Sequence, residues 1–214
     1  MPIMSDKWIK HKAEKDQLIV PFHAESRSTN GDGTPVTSYG LSSFGYDIRL
    51  GNTFRLFDFP LKKSESIEVI YDIVQTTADI DNIIDPVNFK PEFTTPITIR
   101  DYESLIIPPG GFVLGVSKER LVLGDDFTAI CMEKSTLARC GLCVTVTPLE
   151  AGWSGYVTLE ISNKTHLPIK LTPGMGICQV LFFQGNEPCE VSYADRNGKY
   201  QDQPAEPILP RRKL

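Results

Sequence analysis

Turn residues break this chain at short intervals, and the runs between them are too short to be helices. Pro108-Pro109-Gly110-Gly111 divides Leu105–Ile107 from the apolar run Phe112–Val116, and Pro173-Gly174 divides Ile169–Leu171 from Gln179–Phe183. Within such runs side chains alternate: Tyr46, Ile48 and Leu50 interleave with Asp47, Arg49 and Gly51, the pattern of a half-buried strand. Short strands joined by tight turns favour a mainly β fold, a jelly roll or β-barrel, whose edges often become subunit contacts. The exception is Ser5 to Asp16, where Trp8, Ile9 and Ala13 fall at helical spacing and predict a short N-terminal helix. Residues 24–43, rich in Ser, Thr and Gly, read as loop, and Asp85–Phe89 reads as a turn. Asp58–Ile99 is mixed and supports no clear placement of elements. The C-terminal stretch with Pro204, Pro207, Pro210 and Arg211-Arg212-Lys213 reads as a tail.

With 214 residues and 41% hydrophobic side chains the chain can bury a substantial core, and a single domain over residues 1–214 is expected. A net charge of −5 and a pI near 5.3 argue against a nucleic-acid backbone or an anionic membrane as the main partner. A local cationic site for a small polyphosphate stays open. No run of about 18 apolar residues predicts a membrane span, and Met1–Asp16 is polar rather than signal-like. Five cysteines, an odd number without a regular framework, suit a reducing compartment, so the expected location is cytoplasmic.

The chemistry concentrates between Glu133 and Asn163. Lys134-Ser135-Thr136 and Arg139 form a short polar and cationic segment. It leads through a turn into Tyr156-Val-Thr-Leu-Glu160-Ile, a strand pattern with a carboxylate among apolar neighbours. Loss of water favours the protonated form of such a group, which costs stability unless it is paired or used. Arg139 can grip phosphate or hold a water through its fork of donors. Ser135 can orient a nucleophilic water, and a desolvated Glu160 can take a proton from it and later deliver one to a leaving group. The same residues also permit a structural reading, with Ser135 and Thr136 capping the turn into 137–139 and Arg139 ion-paired to Glu160.

Other chemistries find less support. Cys140-Gly-Leu-Cys143 has the two-residue gap of zinc sites, but no second pair follows, and these two read as small core residues. None of His11, His23 or His166 lies in a His-x-Glu context and no Pro-Cys-x-x-Cys follows, which excludes the zinc nucleobase-deaminase signature. No serine sits in a nucleophile elbow, and no Walker-type loop occurs.

Lys134-Ser-Thr-Leu-Ala-Arg139-Cys-Gly141, Val146-Thr-Pro148, Trp153-Ser-Gly155 and Val157-Thr-Leu-Glu160 together resemble the dCTP deaminase family of the dUTPase-like trimeric superfamily. Ser38–Arg49, Ile107-Pro-Pro109, Pro173-Gly-Met175, Gln179–Phe183 and Ser192–Gln201 extend the resemblance in order over most of the chain. The resemblance implies a distorted dUTPase-like jelly roll and the zinc-independent hydrolysis of dCTP to dUTP and ammonia. It implies Glu160 as acid/base, with Ser135 and Arg139 holding the attacking water and the substrate. Lys134, Ser135, Thr136, Leu137, Ala138 and Arg139 would meet the nucleotide, and the main chain around Thr158 and Leu159 would read the pyrimidine edge. Gln179, Tyr193 and Gln203 match positions contacting sugar, phosphate or base, and Lys199 a phosphate-facing lysine on a closing C-terminal segment of about residues 190–214. No metal-ligating residue is expected, since Mg2+ would arrive with the triphosphate. A homotrimer with sites between subunits is implied, and dTTP inhibition is a trait of the family.

Two departures stand out. The family usually carries glycine where this chain has Glu133, whose charge would repel a triphosphate unless it turns away or pairs with Lys134. The turn Leu149-Glu150-Ala-Gly-Trp153 has alanine where proline is common. Two alternatives remain beside the deaminase: a bifunctional enzyme that also hydrolyses dUTP to dUMP, and a non-catalytic nucleotide-binding trimer.

Overall fold

The computed structural model of the chain describes residues 2–57, 83–100 and 103–212. Helix α1 (Asp6–Asp16) buries Ile9 and Ala13 and stops where Gln17 adopts a left-handed conformation at φ 55°. Trp8 on its inner flank packs edge-on against Phe127, with ring centroids 5.1 Å apart. The periodicity of Ser5 to Asp16 thus predicted the helix to within a residue.

The strands follow in chain order as β1 (Ile19–Val20), β2 (Arg27–Thr29), β3 (Pro35–Ser42), β4 (Gly45–Arg49) and β5 (Thr53–Phe57). After them come β6 (Thr94–Thr98), β7 (Leu105–Ile107), β8 (Phe112–Val122) and β9 (Phe127–Glu133). A single-turn helix α2 (Ser135–Arg139) separates β9 from β10 (Leu142–Thr145), and β11 (Ser154–Asn163), β12 (Ile169–Leu171) and β13 (Gly176–Gln184) complete the set. One sheet runs β10-β11-β8-β5-β6 with β1 added to β8, a second runs β2-β3-β4-β13-β9, and β7 pairs with β12. Every strand pair among the described residues is antiparallel. The mainly β expectation holds, but among the described residues the strands lie in separate open sheets and not in a closed barrel. The core between them includes Tyr46, Phe54, Leu121, Leu159 and Phe182, all without solvent exposure.

Three local expectations need correction. Residues 24–43 are not a loop, because β2 and β3 pair there and β3 continues onto β4; hydroxyl-rich strands satisfy the ladder as well as apolar ones do. Strand β4 is not half-buried, since Asp47 and Arg49 are buried along with Tyr46 and Ile48. Its polar side chains are instead ion-paired inside the protein: Asp47 with Lys134, and Arg49 with Glu119. Cys140 is exposed and Cys143 partly so, hence neither is a core residue. The expected turn at Asp85–Phe89 is present, with Asp85 accepting from the Val87 N–H at 2.8 Å and from Asn88 at 2.5 Å. Most of the unplaced stretch 58–99, residues 58–82, lies outside the described residues; β6 accounts for its end. No helix among the described residues is long and apolar enough to cross a membrane.

Candidate active site

Glu160 sits in the middle of β11, flanked in register by Thr145 of β10 and Leu114 of β8. Alternation along β11 sends Val157, Leu159, Ile161 and Asn163 into the core and leaves Tyr156, Thr158, Glu160 and Ser162 on the opposite, partly covered face. That face forms one wall of a cavity of about 1160 Å3, most of whose lining is apolar. Phe57, Phe89 and Phe112 supply an aromatic wing, Phe57 meeting Phe112 edge-on at 4.9 Å and Phe89 at 6.0 Å. In this setting the Glu160 Oε2 is buried without a hydrogen-bond partner. Burial pushes its pKa up to about 7, opposed only by a backbone hydrogen bond. An ordinary carboxylate would be ionised throughout the neutral range; this one exchanges a proton within it.

The C-terminal stretch is not a loose tail. It returns across the sheet and closes the far side of the cavity. Gln203 pairs with the start of β11, its carbonyl accepting from the Tyr156 N–H at 3.0 Å and its Oε1 from Thr158 Oγ1 at 3.3 Å. The Ile208 N–H in turn donates to Thr158 Oγ1 at 3.2 Å, and Trp153 Nε1 donates to the Tyr200 carbonyl at 2.7 Å. Tyr193, Arg196 and Lys199 line the cavity from this segment. Arg196 lies over the Tyr193 ring at 5.5 Å and is ion-paired with Glu150. The docking depends on Gly155, whose φ is 143° and where a Cβ would stand 2.6 Å from the Gln203 backbone nitrogen. Gly155→Ala is therefore expected to release residues 200–212, raising KM and exposing the C-terminus to limited proteolysis. Unchanged cleavage and KM would show that the strap does not rest on this contact.

The residues expected around Glu160 fall into two places. Thr158, Tyr193, Lys199, Gln203 and Glu160 itself share the cavity. Leu159 contributes only backbone there, because its side chain is wholly in the core. Ser135, Thr136, Ala138 and Arg139 lie exposed on α2, apart from this cavity, with Leu137 turned into the core. Neither structural reading of the segment holds. No side chain caps α2, whose N-cap is Lys134. Among the described residues no ion pair joins Arg139 to Glu160. Lys134 is itself largely buried, bound to Asp47 and to Ser38 Oγ. Gln179, on β13, donates to Ser42 Oγ at 3.1 Å. Glu133 neither pairs with Lys134 nor projects beside it, for its carboxylate accepts from the Val144 N–H. The sequence reading missed the aromatic wing and the C-terminal residues Ile208 and Pro210, which also line the cavity. No local pattern marks these, since they come from segments far apart in sequence that meet only in the folded chain.

The β fold is shared with a solved structure of 2'-deoxycytidine 5'-triphosphate deaminase from Agrobacterium tumefaciens. The match has a TM-score of 0.54 at 20% identity and covers 86% of this chain and 48% of that one, so it speaks to the fold. The sequence itself carries the comparison further. The family model described as dCTP deaminase-like matches residues 3–185, and the chain belongs to that family. The curated dCTP deaminase of Acidobacterium capsulatum is 45% identical over 203 residues, covering 95% of this chain and 96% of the relative. That of Neisseria gonorrhoeae is 43% identical with the same coverage.

Proposed function

We propose that this protein is a dCTP deaminase, hydrolysing the C4 amino group of dCTP to give dUTP and ammonia without zinc. The observation that carries the proposal is the half-buried Glu160 carboxyl, one oxygen of it without a partner, poised near neutrality at the wall of a cavity large enough for a nucleotide. Water is a weak nucleophile and an amino group a poor leaving group, so one residue must act first as base and then as acid. Ionised Glu160 takes a proton from water as its oxygen attacks C4. The protonated carboxyl then returns that proton to the departing nitrogen, C4–N breaks and ammonia leaves, while the hydroxyl proton passes to N3 as the C4 carbonyl forms. The apolar lining keeps competing water away from the carboxyl, and the triphosphate supplies binding energy at a distance from the reacting carbon. Lys199 and Arg196, on the strap, are the cavity's cationic side chains and suit the phosphates. Among the described residues no three His, Cys, Asp or Glu gather as a metal site. Magnesium fits this reading as an ion carried in by the triphosphate, keeping several of its waters.

Ser135 and Arg139 are assigned to the water and the substrate, in a homotrimer whose sites lie between subunits. What supports the assignment is their exposure on α2, outside the cavity that holds Glu160 of the same chain. Further support comes from the apolar side chains Ile130 and Met132, exposed on the strand leading into α2. Complementation tests it. Glu160→Gln and Arg139→Ala are each expected to be inactive alone. When they are mixed unfolded and refolded together, about one quarter of sites should receive both intact residues. No recovery on mixing would assign both residues to one subunit's site.

The reaction is tested by incubating the protein with dCTP and magnesium and resolving the products. dUTP with ammonia supports the deaminase, dUMP with diphosphate supports the bifunctional enzyme, and no turnover leaves a nucleotide-binding trimer. A site that accepts deoxynucleoside triphosphates also suits dTTP as a feedback inhibitor. Five free cysteines suit a cytoplasmic setting.

A further inference from the structure

Glu133, the residue that departs from the family's glycine, ends β9 immediately before the segment 134–139. Although the residue is exposed, its Oε1 is engaged: the Val144 N–H donates to it at 3.0 Å and the Cys143 thiol at 2.8 Å. Both donors stand on β10, directly after α2. One carboxylate oxygen thus joins the strand entering α2 to the strand leaving it and closes the excursion between them. The neighbouring Lys134 is fastened the other way, to Asp47 and Ser38 on β4 and β3. The return turn is fixed too, because Gly141 has φ 74° and a Cβ there would meet Thr165 Cγ2 at 2.2 Å. We propose that Glu133 is a positioning residue, the tether that sets the orientation of Ser135 and Arg139 for the reaction. This rests on the deaminase reading of that segment.

A glycine at this point leaves the backbone free to pivot; a glutamate bonded across the excursion restricts the pivot. The same contacts account for the tolerance of a negative charge beside a polyphosphate site, since the carboxylate is turned onto an N–H and an S–H. Its grip on the thiol also shows in Cys143, whose pKa is pushed up chiefly by the Glu133 hydrogen bond. Glu133 touches no reacting atom in this reading, so its effect runs through α2.

The test compares Glu133→Ala, Glu133→Gln and Glu133→Gly with the wild type, reading kcat, KM and melting temperature. Alkylation of Cys143 by iodoacetamide is followed peptide by peptide in parallel. Glu133→Ala is expected to lose about fivefold in kcat/KM, the effect of one hydrogen bond, with a nearly unchanged melting temperature. Glu133→Gly should lose at least as much. Glu133→Gln keeps an acceptor for the Val144 N–H and should recover most of kcat/KM. Cys143 should be alkylated faster than in wild type in all three variants, because the charge facing the thiol is gone. Wild-type kcat/KM in Glu133→Ala, no rescue by glutamine, or unaltered Cys143 labelling would each overturn the proposal. A wild type without turnover overturns the deaminase reading instead, and the labelling rates then decide the tether on their own.

Discussion

Glu160→Gln should bind dCTP with near-native affinity and deaminate it about a thousandfold more slowly, the usual scale for removing a positioned acid/base. The amide matches the carboxyl in shape and leaves the β11 ladder untouched, so the loss falls on kcat. In the wild type the rate should change across neutrality, because burial lifts the carboxyl pKa from the ordinary 4.5 to about 7. The same shift has a stability consequence of definite sign. A carboxyl that holds its proton more tightly when folded contributes stability that is full below the unfolded pKa of 4.5 and lost as pH rises through about 7. Glutamine cannot ionise and does not suffer that loss. The variant should therefore melt above the wild type at about pH 8, with the gap closing by about pH 4. Unaltered kcat, or a melting difference that ignores pH, would remove Glu160 from the role assigned to it.

Glu119→Ala should cost about 3–5 kcal/mol in denaturant unfolding, far more than any surface ion pair, because it strands a buried guanidinium. Glu119 has no solvent exposure and meets Arg49 twice, with the Arg49 N–H at 2.7 Å from Oε2 and Nε at 2.6 Å from Oε1. Burial alone raises the Glu119 pKa, and the Arg49 contacts oppose that rise. The pair bolts β4 of one sheet to β8 of the other, and β8 is the strand on which β11 is hung. Breaking it should therefore loosen Glu160's support as well as the fold. A double change of Arg49 and Glu119 to apolar residues of similar volume should cost much less than either single change, since no charge is left unpaired. A loss below about 1 kcal/mol for Glu119→Ala would show that water reaches the guanidinium and that the pair is not buried in solution.

Much of this was readable in order along the chain. The spacing of Trp8, Ile9 and Ala13 specified a helix, and the Pro-Gly breaks specified where strands end, because both depend on residues within a few positions of one another. The carboxylate among apolar neighbours at Glu160 was legible for the same reason: β alternation puts its neighbours on known faces. The family motifs carried the reading from suspicion to membership. The hydroxyl-rich stretch 24–43 was misread because composition records the preference of isolated residues and not the partner strand that satisfies them. The Pro-rich C-terminus was misread in a similar way, since its docking hangs on Gly155 and Thr158, far upstream.

By itself the sequence determined the family, the N-terminal helix and several of the short strands, since local sterics and side-chain type suffice for these. Only the tertiary structure decided that one Glu160 oxygen is buried without a partner, that Asp47 and Arg49 are buried ion-pair members, and that Ser135 and Arg139 stand apart from the cavity. Desolvation and pairing are set by whatever packs on the far side of a residue. In this chain that neighbour comes from tens of residues away.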